Sequence, residues 1–342
     1  MTALSSEELT GVGAFLRSEG VPVTGPLRAS RIAGGRSNLT FRLDDENSRW
    51  VLRMPPRAGR TPSAHDVARE FRVTRALSGA GVPVAPAVAL CEDESVLGAP
   101  FAVAGFVDGR TVQSSDDLDL LDDVTLAAVV DRLVEALAAL HRVDHGAHGL
   151  ERFGRPDGYA ARQLKRWSGQ WELVGNDDAT SMAARELAER LHASVPDQLS
   201  TGIVHGDFRI DNTLLRLDDE PAVAAIVDWE LSTIGDPVAD VAMMCAYRLP
   251  AFDLIMGMPS AWTSARLPGP DGLAAAYELA GGVKLAHWEF HLALAHYKIA
   301  VIAAGIDHRY RAGVGSGPGF EGAGRAVPEF LAAGLETLGA QR

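Results

Sequence analysis

A short polar loop and an apolar run that follows it constrain this chain more than any other feature. The loop reads His205-Gly206-Asp207-Phe208-Arg209-Ile210-Asp211-Asn212, and a later apolar run ends in Asp228. Phosphoryl transfer requires an Asp that accepts the proton of the attacking hydroxyl, and an Asn and a second Asp that hold magnesium. The ordered set is more specific than a lone H-x-D. It predicts a kinase-type active site; the alternative is that Asp207 and Asp228 are turn residues flanking a hairpin.

Size and composition favour a soluble two-lobed enzyme. The chain has 342 residues, of which 47% are hydrophobic and 23% charged, which is typical of globular proteins too large for one small core. The net charge of -13 argues against a nucleic-acid partner. Two cysteines exclude a disulfide framework and a zinc set. Without a visible signal peptide, and with charged residues interrupting the apolar stretch 284–304, we expect a cytoplasmic protein with no membrane partner.

Strand-like segments are concentrated in the first third of the chain, and helical patterns dominate the rest. We place a boundary at the turn Val107-Asp108-Gly109-Arg110, which divides the chain into residues 1–106 and 107–342. Ser5 and Glu8 predict a capping box for the first helix. Ser63 or Asp66 can cap a second helix, and Pro237 and Pro328 suit the first positions of later helices.

The remaining residues of the polar loop have simpler interpretations. His205 is expected to hydrogen-bond the backbone, and Gly206 to allow a tight bend. Arg209 and Asp211 either touch substrate or pair with each other at the surface. Asp236 reads as a helix N-cap before Pro237.

At these residues the chain resembles a known family, the aminoglycoside phosphotransferase and choline kinase group of small-molecule kinases. The resemblance covers roughly residues 25 to 305 and is similar also to the kinase-like domain joined to eukaryotic acyl-CoA dehydrogenases. It implies an α+β, two-lobed, protein-kinase-like fold with a β-rich nucleotide-binding lobe and a larger helical catalytic lobe. The segments that carry it are Gly34–Asn38, Val51–Arg53, Arg69–Val73, His205–Asn212 and Asp228–Pro237.

The resemblance assigns roles to individual residues. Asp207 matches the catalytic base, and Asn212 and Asp228 match the magnesium ligands. Segment 34–38 would be a loop that covers the phosphates, or else an ordinary hairpin turn, and Glu70 would pair with a strand cation or lie on a solvated helix face. Segment 101–107 would bind the adenine edge through its backbone. The implied nucleotide-binding residues are Gly35, Ser37, Asn38, Arg53, Glu70 and Phe106.

One departure from the family pattern concerns its strand lysine. The lysines of this chain are Lys165, Lys284 and Lys298, so the first lobe contains none, and Arg53 occupies the position. Arginine can bind phosphate oxygens in bidentate fashion, so Arg53 is predicted as a catalytic and phosphate-binding residue that bridges to Glu70. The alternative is a plain surface arginine in a degenerate kinase.

The predicted function is an ATP- or GTP-dependent, Mg²⁺-dependent phosphotransferase whose acceptor is a hydroxyl of a small molecule. An aminoglycoside-like acceptor would require an acidic pocket, and a hydroxyacyl-CoA-like acceptor a basic one. The alternatives are a nucleotide-binding pseudokinase without transfer activity, and a metal-dependent hydrolase that uses Asp207, Asp228 and nearby histidines. Protein kinase activity is disfavoured because no D-F-G or A-P-E segment follows the loop.

Overall fold

The computed structural model describes residues 3–32, 38–56, 66–175, 178–218 and 220–339. The chain divides into two compact units, which we call the first and second units. The first comprises Met1–Gly109 together with Ala224–Ser232, and the second comprises Arg110–Val223 together with Thr233–Arg342. The first boundary therefore lies three residues beyond the one placed after residue 106. The return of Ala224–Ser232 to the first unit was not part of the sequence-based division.

The first unit is built on a five-stranded antiparallel sheet with the order β1-β2-β3-β5-β4. In the middle strand, Trp50, Leu52 and Met54 are buried, so the alternation of a strand directs Arg53 to the opposite face. The elements are α1 (Ser6–Ser18), β1 (Arg28–Arg31), β2 (Leu39–Asp44), β3 (Arg49–Met54), α2 (Val67–Leu77), β4 (Ala87–Cys91) and β5 (Phe101–Gly105).

The two helices of the first unit begin with side-chain caps. The predicted capping box of α1 is confirmed, because Ser5 Oγ accepts from Glu8 N at 3.2 Å and Glu8 Oε2 accepts from Ser5 N at 2.7 Å. Asp66 caps α2 by accepting from Arg69 N at 2.9 Å. The other predicted cap, Ser63, lies outside the described residues.

The second unit is largely helical, and its small strands hold the polar loop. The strands Gly202–Val204 and Thr233–Gly235 pair in antiparallel fashion, with Gly202 opposite Gly235. The chain passes into the first unit within the strand Ala222–Ile226 and returns before the strand Thr233–Gly235. The elements are α3 (Ser115–Asp119), α4 (Asp123–His141), α5 (Tyr159–Val174), α6 (Asp178–Ala193), β6 (Gly202–Val204), β7 (Thr213–Arg216), β8 (Ala222–Ile226), β9 (Thr233–Gly235), α7 (Pro237–Ala246), α8 (Phe252–Met256), α9 (Pro270–Leu279), α10 (Trp288–Arg311) and α11 (Ala323–Gly339).

Helix α10 is long and apolar enough, by length and composition, to cross a membrane. Its most apolar window is 72% buried inside the protein, and the helix packs on α11, α7 and α5. These are the features of a core helix, and they explain its apolar composition without a membrane.

The two predicted proline starts have different outcomes. Pro237 occupies the first turn of α7 behind its N-cap Asp236, as expected. Pro328 lies inside α11, which begins at Ala323, so the prediction of a start at Pro328 is wrong. Ala323, Ala326 and Val327, which precede it in the helix, are buried, and their packing offsets the hydrogen bond that proline cannot donate.

Candidate active site

The polar loop of the second unit is held by Asp240 of α7. Asp240 is fully buried and accepts from His205 N at 2.5 Å and from Gly206 N at 2.7 Å. Gly206 has a φ of 87°, a left-handed conformation that glycine adopts without strain. His205 Nδ1 accepts from Asp207 N at 3.3 Å. The expected roles of His205 and Gly206 in shaping the loop are therefore confirmed.

A chain of buried hydrogen bonds supports Asp240 from behind. His141 Nε2 lies 3.2 Å from Asp240 Oδ2, and His141 Nδ1 lies 2.7 Å from the hydroxyl of Tyr277. That hydroxyl accepts from Val283 N at 3.1 Å, so its own proton is available for His141 Nδ1. In this assignment Nε2 of a neutral imidazole donates to Asp240. Burial alone would raise the pKa of Asp240, but its hydrogen bonds and His141 hold it below the usual value.

The carboxylate of Asp207 is oriented through one of its oxygens. Asp207 Oδ2 accepts from Arg209 Nη2 at 3.0 Å and from Asn212 Nδ2 at 2.9 Å. Asn212 Nδ2 also donates to the carbonyl of Asp207 at 2.7 Å. Because the amide nitrogen of Asn212 is engaged in this way, its oxygen is the atom that a cation could use.

Arg209 is buried, so the surface pairing considered for it is wrong. Its guanidinium lies 3.0 Å from Asp207 Oδ2 and 3.3 Å from Asp211 Oδ2, and the side chain is 8% exposed. The rings of Tyr247 and Phe252 lie 4.8 and 5.0 Å from it, measured to their centroids. Burial would lower the pKa of Arg209, but the two carboxylates outweigh it and raise the pKa.

In the first unit, Arg53 bridges two carboxylates. Its Nη1 lies 3.3 Å from Glu70 Oε2, and its Nη2 lies 3.2 Å from Asp228 Oδ1. Glu70 is only 8% exposed, so it does not lie on a solvated helix face, and Arg53 is not a plain surface arginine. Burial raises the pKa of Glu70 to about 7, against the opposing effect of Arg53.

Asp228 begins a short 3₁₀ turn and has the uncommon φ of 66° for a residue other than glycine. Carboxylate oxygens of Glu70, Asp228 and Glu230 lie within 4.8 Å of one another and could hold a metal ion. Hard carboxylate oxygens are the ligands that Mg²⁺ prefers. Sequence reasoning identified Asp228 as a metal ligand but missed Glu230. The position of Glu230, two residues after Asp228 in the same motif, could have indicated it.

The other predicted nucleotide residues have separate outcomes. Gly35 and Ser37 lie outside the described residues. Asn38 is buried, and its Nδ2 donates to Glu70 Oε1 at 3.2 Å. Phe106 N donates to the carbonyl of Arg49 at 3.2 Å. The N–H of Phe106 is therefore engaged within the sheet, and an adenine edge would have to use other backbone groups of this segment.

A small pocket opens beside Gly206 in the second unit, and Tyr159, Trp167 and Lys298 line it together with other residues. Lys298 Nζ lies 3.4 Å from the carbonyl of Gly206 and 5.7 Å from the centroid of the Trp167 ring. Burial lowers the pKa of Lys298, opposed by Asp207 and Asp240. Among the described residues that line the pocket, Asp240 is the only acid, and the loop already uses both of its oxygens.

Comparison with known proteins places the chain in a family. The family model described as the phosphotransferase enzyme family (APH) matches residues 28–291. The chain belongs to this family. Mouse (Mus musculus) acyl-CoA dehydrogenase family member 10 is 34% identical over 302 residues, which are 87% of this chain and 28% of that protein. The chain thus spans about a quarter of the length of this curated relative.

Solved structures of phosphotransferases share the fold. The crystal structure of a candidate aminoglycoside phosphotransferase from Ralstonia eutropha JMP134 has a TM-score of 0.83 and 32% identity, covering 97% of this chain and 98% of that one. A thermostable mutant of aminoglycoside phosphotransferase APH(4)-Ia, in a ternary complex with AMP-PNP and hygromycin B, has a TM-score of 0.64 and 19% identity and covers 97% of this chain and 100% of that one. The predicted α+β, protein-kinase-like fold is confirmed.

Sequence reasoning missed two residues that support the polar loop. His141 and Tyr277 lie on α4 and α9, far from the loop in sequence, and neither belongs to a recognisable motif. Only the folded chain places them behind Asp240.

Proposed function

We propose that the protein transfers the terminal phosphate of ATP to a hydroxyl group of a small molecule. The observation that carries this proposal is the Asp207 carboxylate, held at one oxygen by Arg209 and Asn212 on a loop braced by Asp240. A carboxylate kept in one orientation is suited to receive a hydroxyl group, and the family membership makes phosphoryl transfer the reaction class.

The nucleotide is assigned to the first unit. Arg53 takes the place of the family's strand lysine, and Glu70 and Asp228 hold its guanidinium. A guanidinium fork can donate two parallel hydrogen bonds to phosphate oxygens, so the substitution preserves the charge and adds directionality. The AMP-PNP bound by the APH(4)-Ia mutant supports ATP as the donor, although that protein shares only the fold.

Magnesium is the cation that the oxygen donors of each unit fit, taken separately. In the first unit these are the carboxylates of Asp228 and, beside it, Glu230, and in the second unit it is the oxygen of Asn212. Mg²⁺ held by such ligands would neutralise charge on the phosphates.

Asp207 has the central chemical role among the chain's own residues. It orients the acceptor hydroxyl and takes its proton late, because little charge develops on the attacking oxygen in a loose transition state. Its side chain is 21% exposed and therefore reachable by an acceptor.

The pocket beside Gly206 bears on the acceptor. Its cationic group is the ammonium of Lys298, which donates one hydrogen bond to the carbonyl of Gly206 and has further N–H donors, while the carboxylate of Asp240 is occupied by the loop. A cationic pocket favours an acceptor that carries a carbonyl or anionic group over a polyamine. We therefore place a hydroxyacyl-CoA-like acceptor ahead of an aminoglycoside-like one.

The test is phosphate transfer by the purified protein with ATP and Mg²⁺, using hydroxyacyl-CoA thioesters and aminoglycosides as two acceptor panels. ADP release and the mass of the phosphorylated product are the readouts. Asp207→Asn should lower kcat by about 10²–10⁴-fold. Asp197→Asn, an exposed acid of the same unit, should leave kcat unchanged.

Three outcomes would contradict the proposal, and each has a different meaning. Nucleotide binding without transfer to any acceptor would favour a pseudokinase. Phosphate release at full rate without an acceptor would favour a hydrolase. Failure to bind any nucleotide would remove the enzyme interpretation altogether.

A further inference from the structure

The guanidinium of Arg209 is fixed on several sides. Its Nη2 lies 3.0 Å from a carboxylate oxygen of Asp207 and 3.3 Å from a carboxylate oxygen of Asp211. Two aromatic rings, of Tyr247 and Phe252, lie within about 5 Å of it, which is close enough for cation–π attraction. A flexible side chain held in this way has lost its rotational freedom, so its position is defined before any substrate arrives.

The arrangement also defines the position of Asp207. Arg209 Nη2 and Asn212 Nδ2 both donate to the same oxygen, Oδ2. The hydroxyl of Tyr247 is a further hydrogen-bond partner of the carboxylate. Because a carboxylate has about four acceptor sites, a site remains for an acceptor hydroxyl. Asp207 is 21% exposed, against 8% for Arg209, so the carboxylate is more accessible than the arginine that holds it.

We propose that Arg209 is a positioning residue for phosphoryl transfer, which holds the Asp207 carboxylate in the orientation that receives the acceptor hydroxyl. This inference rests on the proposed function. In the step itself, the acceptor oxygen bonds to the terminal phosphorus, the bond from that phosphorus to the bridging oxygen of ADP breaks, and the hydroxyl proton passes to Asp207.

The contribution expected of Arg209 is the orientation of the Asp207 carboxylate. In a loose transition state the proton leaves late, so the orientation of the hydroxyl counts for more than the basicity of its acceptor. Misplacement of a reacting group by about 1 Å can cost about 10²-fold in rate. A buried clamp that fixes the carboxylate therefore contributes more than a stronger but mobile base would.

Arg209→Lys keeps the charge but removes the planar fork that reaches Asp207 and lies close to both rings. We expect kcat to fall about 10–100-fold, with the Kd for AMP-PNP and the KM for ATP changed less than about twofold. Phe252→Leu, which removes one of the two rings beside the guanidinium, should lower kcat less, by about 2–5-fold. This second variant remains informative if the first does not fold.

Arg248 provides a matched control in the same unit. It is a partly buried arginine whose guanidinium donates to backbone carbonyls, among them Pro268 O at 3.0 Å and Ser264 O at 2.8 Å. Arg248→Lys should lower the thermal stability, because hydrogen bonds to backbone carbonyls are lost. It should leave kcat within about twofold, because Arg248 is expected to support the fold and not the chemical step. If both arginine variants lowered kcat equally, a positioning role for Arg209 would be excluded.

Two readouts separate this inference from the proposed function. In Arg209→Ala, added methylguanidinium should restore part of the lost kcat by filling the vacated space, and it should have no such effect on wild type. High-resolution crystal structures of wild type and Arg209→Ala measure the Asp207 rotamer without reference to turnover. An inactive wild type would refute the proposed function alone, whereas an unmoved Asp207 carboxylate in Arg209→Ala would refute the positioning role alone.

Discussion

Removing the hydroxyl of Tyr277 tests the hydrogen-bond chain behind the polar loop. In wild type this group serves two partners, His141 Nδ1 at 2.7 Å and Val283 N at 3.1 Å. Tyr277→Phe keeps the ring, which is fully buried, so no large cavity forms. The substitution leaves His141 Nδ1 as a buried acceptor without its donor.

The magnitude follows from the burial of the two partners. The side chain of His141 is fully buried, so its lost hydrogen bond carries the desolvation penalty of an unsatisfied group, about 1–3 kcal/mol. The hydrogen bond from Val283 N is only partly buried, so water can replace the lost hydroxyl. The loss of this hydrogen bond should therefore cost only about 0.5–1 kcal/mol. We expect the free energy of unfolding to fall by about 2–3 kcal/mol.

The assay is urea denaturation with an unchanged m-value, which shows that stability rather than compactness has changed. Tyr310→Phe, at an exposed tyrosine, should stay within about 0.5 kcal/mol of wild type. In a His141→Leu background, Tyr277→Phe should cost less than about 1 kcal/mol, because its acceptor is already gone. Equal costs in both backgrounds would refute the chain of hydrogen bonds.

Three further predictions concern charged and buried groups. Arg53→Met should weaken AMP-PNP binding about 10–100-fold by calorimetry, whereas Arg75→Met, at an exposed arginine on α2, should not; equal affinities would contradict the phosphate role. Burial raises the pKa of Glu70 from 4.5 to about 7. The free energy of unfolding should therefore fall by about 3 kcal/mol as the pH rises through that window, because the folded state disfavours the ionised carboxylate. Glu70→Gln should abolish this pH dependence in denaturation experiments. Burial lowers the pKa of His296 from 6.5 to about 4, so stability falls as pH drops through that window, and His296→Leu should flatten the acid side of the same curve.

The sequence predicted those features that depend on local chemistry. The capping box at Ser5, the left-handed Gly206 and the cap at Asp236 each follow from residues a few positions apart. The roles of Glu70 and Arg53 remain predictions, but the structure places their side chains where the resemblance implied. Patterns of short range were sufficient for these features.

Features that depend on distant contacts could not be predicted. The burial of Arg209 requires Tyr247 and Phe252, which follow it by tens of residues and carry no motif. Pro328 was predicted as a helix start from a rule that considers only its near neighbours in sequence. Helix α11 begins earlier because Ala326 and Val327 are buried against other parts of the fold, which that rule does not consider. The division after residue 106 assumed that each unit is one continuous stretch of sequence. In the structure, each unit is made of two separate stretches.

That discontinuity has a consequence for how the protein is made. The first unit is completed by Ala224–Ser232, which supplies Asp228 to Arg53, a backbone hydrogen bond from Ile226 to Pro83, and the carbonyl of Ser232 to Arg69. When only the first 109 residues have left the ribosome, these partners have not yet been synthesised, and Glu70 is the one of the two carboxylate partners of Arg53 that is present. Final folding of the amino-terminal sheet is coupled to synthesis of more than half of the remaining polypeptide, which favours late, joint maturation over stepwise completion from the first residue onward.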